Sequence, residues 1–84
     1  MVTRTSRTDK KYKKQNYKNW SLSETLIWLE ECVKLPQYKP NFQEIAIDGL
    51  MMDFLTDEDL ERDLNIKVRL HRVKIIEEIK KLKQ

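Results

Sequence analysis

The apolar residues between Ser21 and Lys34 follow a helical spacing. Ser21 and Glu24 form the Ser-x-x-Glu pattern of a capping box, in which the serine hydroxyl accepts from a free backbone N–H and the glutamate reaches back. We therefore expect the first helix to begin near Leu22. Its predicted apolar stripe consists of Leu22, Leu26, Trp28, Leu29, Cys32 and Val33. One face of this helix should be buried up to about Lys34, and Pro36 marks its end.

The apolar residues between Pro36 and Leu64 come in short bursts, which indicates helices of one or two turns rather than strands. Each burst follows a residue that starts a helix or a turn. The predicted elements are a helix with Pro40 in its first turn and Phe42 and Ile45 along it, a turn at Asp48-Gly49 before Met52 and Leu55, and a helix capped at Thr56–Asp59 that carries Leu60 and Leu64. The acids after Thr56 suit the positive end of a helix dipole.

The last segment predicts the longest helix, from about Lys67 to Lys83. The apolar residues expected along one of its sides are Val68, Ile75, Ile76, Ile79 and Leu82. Glu77, Glu78 and Lys81 can form ion pairs on the outside. The fold class predicted for the chain is therefore all-α, with several small, tightly linked helices and a long C-terminal helix.

Residues 1–18 mix lysine, arginine, serine, threonine and asparagine without helical or strand periodicity. Such a segment buries too little apolar surface to offset its ordering entropy, so we predict a basic flexible tail or linker that supplies no core residue. The folded domain is expected over residues 19–84. The tail carries seven basic side chains and one acidic side chain, a net charge of +6, whereas residues 19–84 carry 10 basic and 13 acidic ones, a net charge of −3.

The composition argues against several classes of function. One cysteine, Cys32, and one histidine, His71, cannot form an internal disulfide or a zinc site of the usual spacing. A single glycine, Gly49, leaves no glycine-rich phosphate loop, and no apolar run approaches the ~18 residues of a membrane span. We therefore expect neither a nucleotide-binding enzyme nor a membrane protein, and no cofactor or metal. The N-terminus lacks the apolar stretch of a secretory signal, which predicts an intracellular protein, cytoplasmic rather than nuclear.

The motifs of residues 19–84 resemble those of the sterile alpha motif (SAM) domain family in both order and spacing. The residues that carry the resemblance are Trp20, Trp28-Leu29, Leu35-Pro-Gln-Tyr38 with Phe42, Ile47-Asp48-Gly49, Leu55-Thr56 with Asp59-Leu60, Leu64-Asn65-Ile66 and Leu70-His71-Arg72. The resemblance implies a five-helix bundle without catalysis. Most members bind other SAM domains, with a mid-loop surface on one copy and an end-helix surface on another, and some bind RNA hairpins.

The sequence departs from the family pattern at three points. Asn65 replaces the usual glycine, and asparagine also accepts the left-handed conformation at a helix C-terminus. Leu70 replaces the glycine before His71-Arg72, which places a bulky side chain where the family often uses backbone for close approach of a partner. The stretch from Trp28 to Tyr38 is one residue longer than the common spacing, which is expected to change only a connection.

Charge is distributed in two blocks along the predicted domain. Residues 44–63 carry eight acids and one base, and residues 64–84 carry seven bases and two acids. Faces of opposite sign favour a heterologous contact between copies, which builds open chains unless the rotation closes a ring. Because charge mainly sets orientation and rate of association, such a contact also needs an apolar centre. Phe54 is the candidate, since it lies off the core pair Met52 and Leu55.

The candidate protein-binding residues are Asp48, Asp53, Phe54, Asp57, Glu58, Glu61, Lys67, Arg69, His71, Arg72 and Lys74. Alternatives remain open for several of them. Asp57 can instead cap a helix, His71 can pack against the first helix, and Arg72 can bridge to an acid within the chain. Asp59 is left out because helix capping accounts for it. Cys32 is expected to be an inert core residue.

We thus expect a SAM domain that pairs with itself or with another SAM domain, as part of a larger signalling kinase or scaffold. Nucleic-acid binding is the alternative, through the basic last helix and through Tyr12 and Tyr17 among the lysines of the tail. The net negative charge of residues 19–84 argues against it. A third possibility is that the tail contacts a membrane surface or directs the chain to the nucleus.

Overall fold

A computed structural model describes residues 14–84 of the chain, and five α-helices with no β-strand make up the fold of that part. The helices are α1 (Leu22–Trp28), α2 (Lys39–Ile45), α3 (Gly49–Met52), α4 (Asp57–Arg62) and α5 (Arg69–Lys83). A 3-10 helix over Lys14–Asn19 precedes α1, and a 3-10 turn over Pro36–Tyr38 leads into α2. The all-α prediction with a long last helix is confirmed. No helix of the described part is long and apolar enough to cross a bilayer.

Two of the helices begin with reciprocal side-chain caps, where the sequence predicts a capping box at Ser21 and an N-cap at Thr56. At α1 the Glu24 N–H donates to Ser21 Oγ at 3.3 Å, and the Ser21 N–H donates to Glu24 Oε1 at 2.8 Å. At α4 the Asp59 N–H donates to Thr56 Oγ1 at 3.2 Å, and the Thr56 N–H donates to Asp59 Oδ2 at 3.1 Å. Each box provides acceptors for two backbone N–H groups that have no partner within the helix.

The α1 helix continues as a π-helical turn over Leu29–Val33 and ends at Lys34, which has φ 65°. The Lys34 N–H donates to the Leu29 carbonyl five residues back, so this turn uses one residue more than an α-helical turn. The extra residue of the stretch from Trp28 to Tyr38 is therefore taken up inside the helix. The expectation that the extra residue changes only a connection is wrong, because the π-helical turn accommodates this residue before the connection begins at Leu35.

The core lies where α1, α2 and α5 meet. Its fully buried apolar side chains are Trp28, Leu29, Val33, Phe42, Ile47, Met52, Leu60, Leu64, Ile66 and Ile75, and Ile79 is nearly so. Burial of one such side chain contributes on the order of 1.5–3 kcal/mol. Two positions differ from the prediction. Val68 is 47% exposed because it is the N-cap residue of α5, and Ile45 is 37% exposed at the end of α2.

Tyr17 belongs to the core, where it packs edge-to-face on Trp20 with ring centroids 6.3 Å apart. The prediction that residues 1–18 supply no core residue is therefore wrong at Tyr17. A backbone hydrogen bond joins its segment to α3, because the Gly49 N–H donates to the Trp20 carbonyl at 3.0 Å. Within the segment, the Trp20 N–H donates to the Tyr17 carbonyl, also at 3.0 Å. The predicted flexibility of the tail otherwise concerns residues 1–13, which lie outside the described residues.

Gly49 is required by this close approach. A Cβ at position 49 would lie 1.7 Å from the Tyr17 carbonyl oxygen and 2.9 Å from the Trp20 nitrogen. Gly49 is the first residue of α3, and its N-cap Asp48 accepts from the Met51 N–H at 3.0 Å. The Asp48-Gly49 pair thus starts a helix against a passing backbone segment, which is why the chain turns there.

Candidate interaction surfaces

Phe54 is the most exposed large apolar side chain of the described part, at 70%. It follows α3, where its N–H donates to the Met51 carbonyl at 3.0 Å, while the preceding Met52 fills the core. The alternation of a buried and an exposed residue agrees with the assignment of Phe54 to the surface. The ring borders a groove of about 230 Å³, here called the Phe54 groove, lined by Ile45, Ile47, Met51, Phe54, Leu55, Asp59, Asp63 and Leu64.

The α4 helix forms the acidic rim of the Phe54 groove. Asp59 and Asp63 are four residues apart, so they share one face of the helix and both line the groove. Asp57, two residues before Asp59, lies on the opposite face and pairs with α5. The Asp59 carboxylate is used in the Thr56 capping box, whereas Asp63 is exposed and has no ion pair among the described residues.

Two of the predicted acidic site residues hold the fold. Asp48 caps α3. Asp53 is half-buried and accepts a hydrogen bond from the Tyr17 hydroxyl, with the ammonium groups of Lys18 and Lys83 each 3.9 Å from its carboxylate. The Tyr17 bond lowers the pKa of Asp53 below its ordinary value of 3.8, and the two lysines assist. Burial, the Asp53 bond and the Asp53 charge together raise the pKa of Tyr17 to about 12.

The three remaining acids lie on α4. Asp57 Oδ1 accepts from Arg72 Nε at 2.8 Å, and Glu58 pairs with Arg62 across one helical turn at 3.0 Å. Glu61 is exposed and takes part in no ion pair within residues 14–84. Exposed pairs such as Glu58–Arg62 are weak, so Glu58 remains open to another cation. Glu58 and Glu61 are therefore the predicted acids that the fold uses least.

The basic candidates surround the start of α5. Lys67, Arg69 and Lys74 are exposed, and none of them forms an ion pair with another residue that the structure describes. Leu70, the second residue of α5, is 65% exposed, and Val73 on the next turn is 37% exposed. Since Leu70 and Lys74 are four residues apart, they share one face. This cluster of Lys67, Arg69, Leu70, Val73 and Lys74 is called the α5 start below.

Arg72 forms the bridge to an acid within the chain that the sequence leaves open, and His71 contacts Tyr38 in the turn after the first helix. Arg72 is 7% exposed, and its guanidinium donates to the Ile66 carbonyl at 3.0 Å and to the Lys67 carbonyl at 3.1 Å in addition to Asp57. His71 is half-buried, and its Nδ1 shares a hydrogen bond with the Tyr38 hydroxyl. Tyr38 lies in the turn after the first helix, so His71 ties α5 to that end of the fold.

The Phe54 groove and the α5 start lie on different sides of α4. The face of α4 that carries Asp59 and Asp63 borders the groove, and the face with Asp57 contacts α5. Two ion pairs join the acidic and basic blocks within the described chain, Asp57–Arg72 and Asp53–Lys83. Each pair joins a largely shielded side chain, Arg72 or Asp53, to a more exposed partner, and neither pair uses a residue of the α5 start or of the groove lining.

Sequence reasoning missed four exposed residues of these clusters, which are Ile45, Met51, Asp63 and Val73. Met51 could have been found, because it precedes the buried Met52 in a helix of one turn. Asp63 could have been found from its spacing to Asp59. Among the residues described, no group of three or more histidine, cysteine or carboxylate side chains lies close enough together to bind a metal ion.

Comparison with known proteins places the match over nearly all of the described chain. A family model of the SAM domain (sterile alpha motif) matches residues 17–83, so it includes Tyr17 and ends at the last residue of α5. The dual specificity protein kinase splA of Dictyostelium discoideum is 34% identical over 68 residues, which are 81% of this chain.

Two further relatives match shorter or weaker stretches. Human Kazrin is 39% identical over 49 residues, 58% of this chain, and the zebrafish (Danio rerio) NAD(+) hydrolase SARM1 is 29% identical over 65 residues, 77% of this chain. The chain spans only 3% of the kinase, 6% of Kazrin and 9% of the hydrolase. The similarity therefore concerns one small domain of much longer proteins.

Proposed function

The chain belongs to the sterile alpha motif family, whose domains are in general non-catalytic protein-interaction modules, and from this premise we propose that it associates head to tail with a second SAM domain. The acidic surface of one copy, centred on Phe54, would meet the α5 start of the next. The observation that carries the proposal is the 70% exposure of Phe54 beside a groove with an acidic rim.

The residues that we propose for the contact are fewer than the sequence indicates. They are Phe54, Glu58 and the groove-lining Asp63 on the acidic surface and Lys67, Arg69 and Lys74 on the basic surface. Glu61 lies four residues after Asp57 and therefore shares the face of α4 opposite the groove. Asp48, Asp53, Asp57, His71 and Arg72 are occupied by caps, hydrogen bonds and ion pairs inside the domain. Substitution of these five would report on folding rather than on association.

The position of α4 between the two surfaces favours an open-ended assembly. A copy whose groove is filled still presents its own α5 start, so it can bind a third copy. Contacts of this heterologous kind form fibres or rings according to the rotation between neighbours. The rim charges are exposed, so they should speed and orient association, and the apolar centre should supply most of its strength.

The test is sedimentation equilibrium of the full 84-residue chain over a range of concentrations, at low and at high salt. Wild type is expected to form oligomers that grow with concentration and shrink moderately in high salt, because salt screens exposed charges. Phe54→Glu and Lys67→Glu should each be monomeric. Their equimolar mixture should form a dimer that does not grow, since each variant keeps one intact surface.

Lys80→Glu is the matched control for Lys67→Glu, because it changes the net charge equally and lies three turns along α5, where Lys80 pairs with Glu77. It should assemble like wild type. A wild-type chain that stays monomeric at high micromolar concentration, or a mixture of the two variants that stays monomeric, would contradict self-association. A partner SAM domain on another protein would then have to be sought with the same variants.

Nucleic-acid binding is the second candidate, favoured by the exposure of Lys67, Arg69 and Lys74 without ion pairs among the described residues. Phosphate contacts predict affinity that falls steeply with salt. Electrophoretic shift of an RNA hairpin by the full chain, lost on Arg69→Ala and retained in Phe54→Glu, would support this function. Retention of binding in Arg69→Ala would argue against it.

We further propose that the domain acts within a larger signalling protein, a kinase or a scaffold, in the cytoplasm. The support is the match to a dual specificity protein kinase and the small share of each relative that the chain spans. The domain would then bring copies of that protein together.

A further inference from the structure

The α5 start has an exposed apolar side chain at its centre, and the Phe54 groove has an apolar floor with an acidic rim. Leu70 is 65% exposed, although an apolar side chain gains free energy by burial. It stands between Lys67 and Lys74 on the chain, with Arg69 beside it. The groove offers Ile45, Met51, Phe54 and Leu55 with Asp59 and Asp63 at its edge.

We propose that the Leu70 side chain of one copy inserts into the Phe54 groove of the next copy of this chain. The proposal rests on the proposed head-to-tail association and adds to it the residue that anchors the contact. Leu70, 65% exposed at the second position of α5, supplies the projecting side chain for this contact.

The size of the groove agrees with this occupant. A cavity of about 150 Å³ lined by aliphatic and aromatic side chains holds a benzene-sized group. The Phe54 groove, at about 230 Å³, has room for a leucine side chain. Its floor residues Ile47 and Leu64 are buried, so they form a fixed base, while Ile45, Met51 and Phe54 are exposed enough to close around an inserted group.

Charge complementarity selects a second copy as the occupant. The rim acids Asp59 and Asp63 are one helical turn apart, and Asp63 has no ion pair among the described residues. Lys67, Arg69 and Lys74 surround Leu70 and are likewise unpaired there. When Leu70 of one copy occupies the groove, the basic side chains around it would lie next to the rim acids of the other copy. An acidic or uncharged apolar segment in the groove would leave those rim acids without partners.

The groove and Leu70 of one molecule lie on different sides of α4, so the contact is between molecules. Asp59 and Asp63 face the groove, and Asp57 on the opposite face pairs with Arg72, two residues after Leu70. Self-insertion is therefore excluded by the fold, and each copy presents one projection and one groove.

The experiment uses two forms of the full chain that can form only one contact. The acceptor carries Lys67→Glu and keeps its groove, and the donor carries Phe54→Glu and keeps its α5 start. Isothermal titration of donor into acceptor gives the dissociation constant of a single interface. Leu70→Ala in the donor should weaken binding about tenfold or more, as expected for removal of a buried aliphatic side chain.

Three further titrations control for the variants. Leu70→Met, which keeps an apolar side chain of similar volume, should bind within about threefold of the donor. Leu50→Ala in the donor is the matched control, since Leu50 is 53% exposed but lies on α3, outside the α5 start. It should leave the dissociation constant unchanged. Unchanged thermal unfolding of each variant shows that the fold is intact.

A second measurement observes the groove directly. With methionine methyl groups of the acceptor labelled with ¹³C, the Met51 signal should shift when donor is added and should shift much less with donor Leu70→Ala. The signal of the buried Met52 serves as the internal reference. If donor and acceptor do not associate at all, the proposed function fails. If they associate and Leu70→Ala changes neither affinity nor the Met51 shift, the anchor is overturned and the association stands.

Discussion

The hydroxyl of Tyr17 donates a hydrogen bond to the carboxylate of Asp53, 36 positions later in the chain. This bond ties the segment before α1 to the residue that precedes Phe54. It also explains why Asp53, which looks like a surface acid in the sequence, belongs to the fold. The charge of Asp53 is shared among one hydroxyl and two lysines of the same molecule.

Tyr17→Phe should make the domain less stable near neutral pH and less sensitive to acid. The Asp53 pKa is lowered in the folded chain, so the unfolded chain binds more protons in acid and stability is lost as the pH falls below about 4. Without the hydroxyl, that pKa moves back toward its ordinary value and the loss becomes smaller. Urea unfolding of wild type and Tyr17→Phe between pH 2 and pH 7 measures the difference.

The stability of the domain at alkaline pH depends on the same hydrogen bond between Tyr17 and Asp53. Because the pKa of Tyr17 is about 12 when folded and 10.0 ordinarily, the unfolded chain loses its proton first, and stability falls as the pH rises above about 10. Tyr17→Phe should lose this dependence. Equal acid and alkaline limbs in the two proteins would contradict the role of the Tyr17–Asp53 bond.

Gly49→Ala should destabilise the domain by about 3 kcal/mol, because overpacking against rigid backbone forces the chain apart. The added Cβ meets the Tyr17 carbonyl oxygen, and its displacement also breaks the bond from the Gly49 N–H to the Trp20 carbonyl. Thermal unfolding followed by circular dichroism measures the loss. A change under about 1 kcal/mol would show that the segment before α1 does not press on α3 in solution.

Ala46→Gly should stabilise the domain by about 0.5 to 1 kcal/mol, since alanine at φ 59° lies in the left-handed region that costs a side chain roughly that much or more. Asn65→Gly, at φ 58°, is the matched control. Asparagine tolerates this conformation, so its replacement should change stability little. Equal effects of the two substitutions in urea unfolding would contradict the argument.

Arg72→Met should cost about 2 kcal/mol, because the Ile66 and Lys67 carbonyls lose their guanidinium donor in a buried place. Asp57→Asn should cost less than about 1 kcal/mol, since Asp57 is largely exposed and solvent screens the pair. Arg72→Lys should not rescue the loss, because an ammonium cannot bond two carbonyls and a carboxylate in the geometry of the guanidinium fork. Chemical unfolding of the three variants ranks these effects.

Local sequence rules were sufficient for most of the helices. The boxes at Ser21 and Thr56 predict both helix starts because each needs only residues three apart, and the left-handed Asn65 follows from its side chain. The surface position of Phe54 also follows from local spacing. Tyr17 could not be predicted, because a lone aromatic residue among lysines has no period, and its burial depends on a glycine 32 positions away.

Which charged side chains pair with one another could also not be predicted from the sequence. Arg72 and Lys74 look alike as bases of one helix, yet Arg72 faces two carbonyls and Asp57, while Lys74 faces solvent. Which acids remain available depends on contacts between distant segments, as Asp53 shows. The π turn at Leu29–Val33 likewise reflects the packing of Leu29 and Val33, both fully buried, on the same core.

Lys18 and Lys83 both approach Asp53, so the segment before α1 and the end of α5 lie close together on the surface. In any longer polypeptide, the segments that enter and leave the domain would therefore start from neighbouring points on its surface. A domain with this arrangement can bind or release a partner without changing the distance between the segments that flank it. The length of the linkers on either side would then set only how far the domain can extend from the rest of the polypeptide.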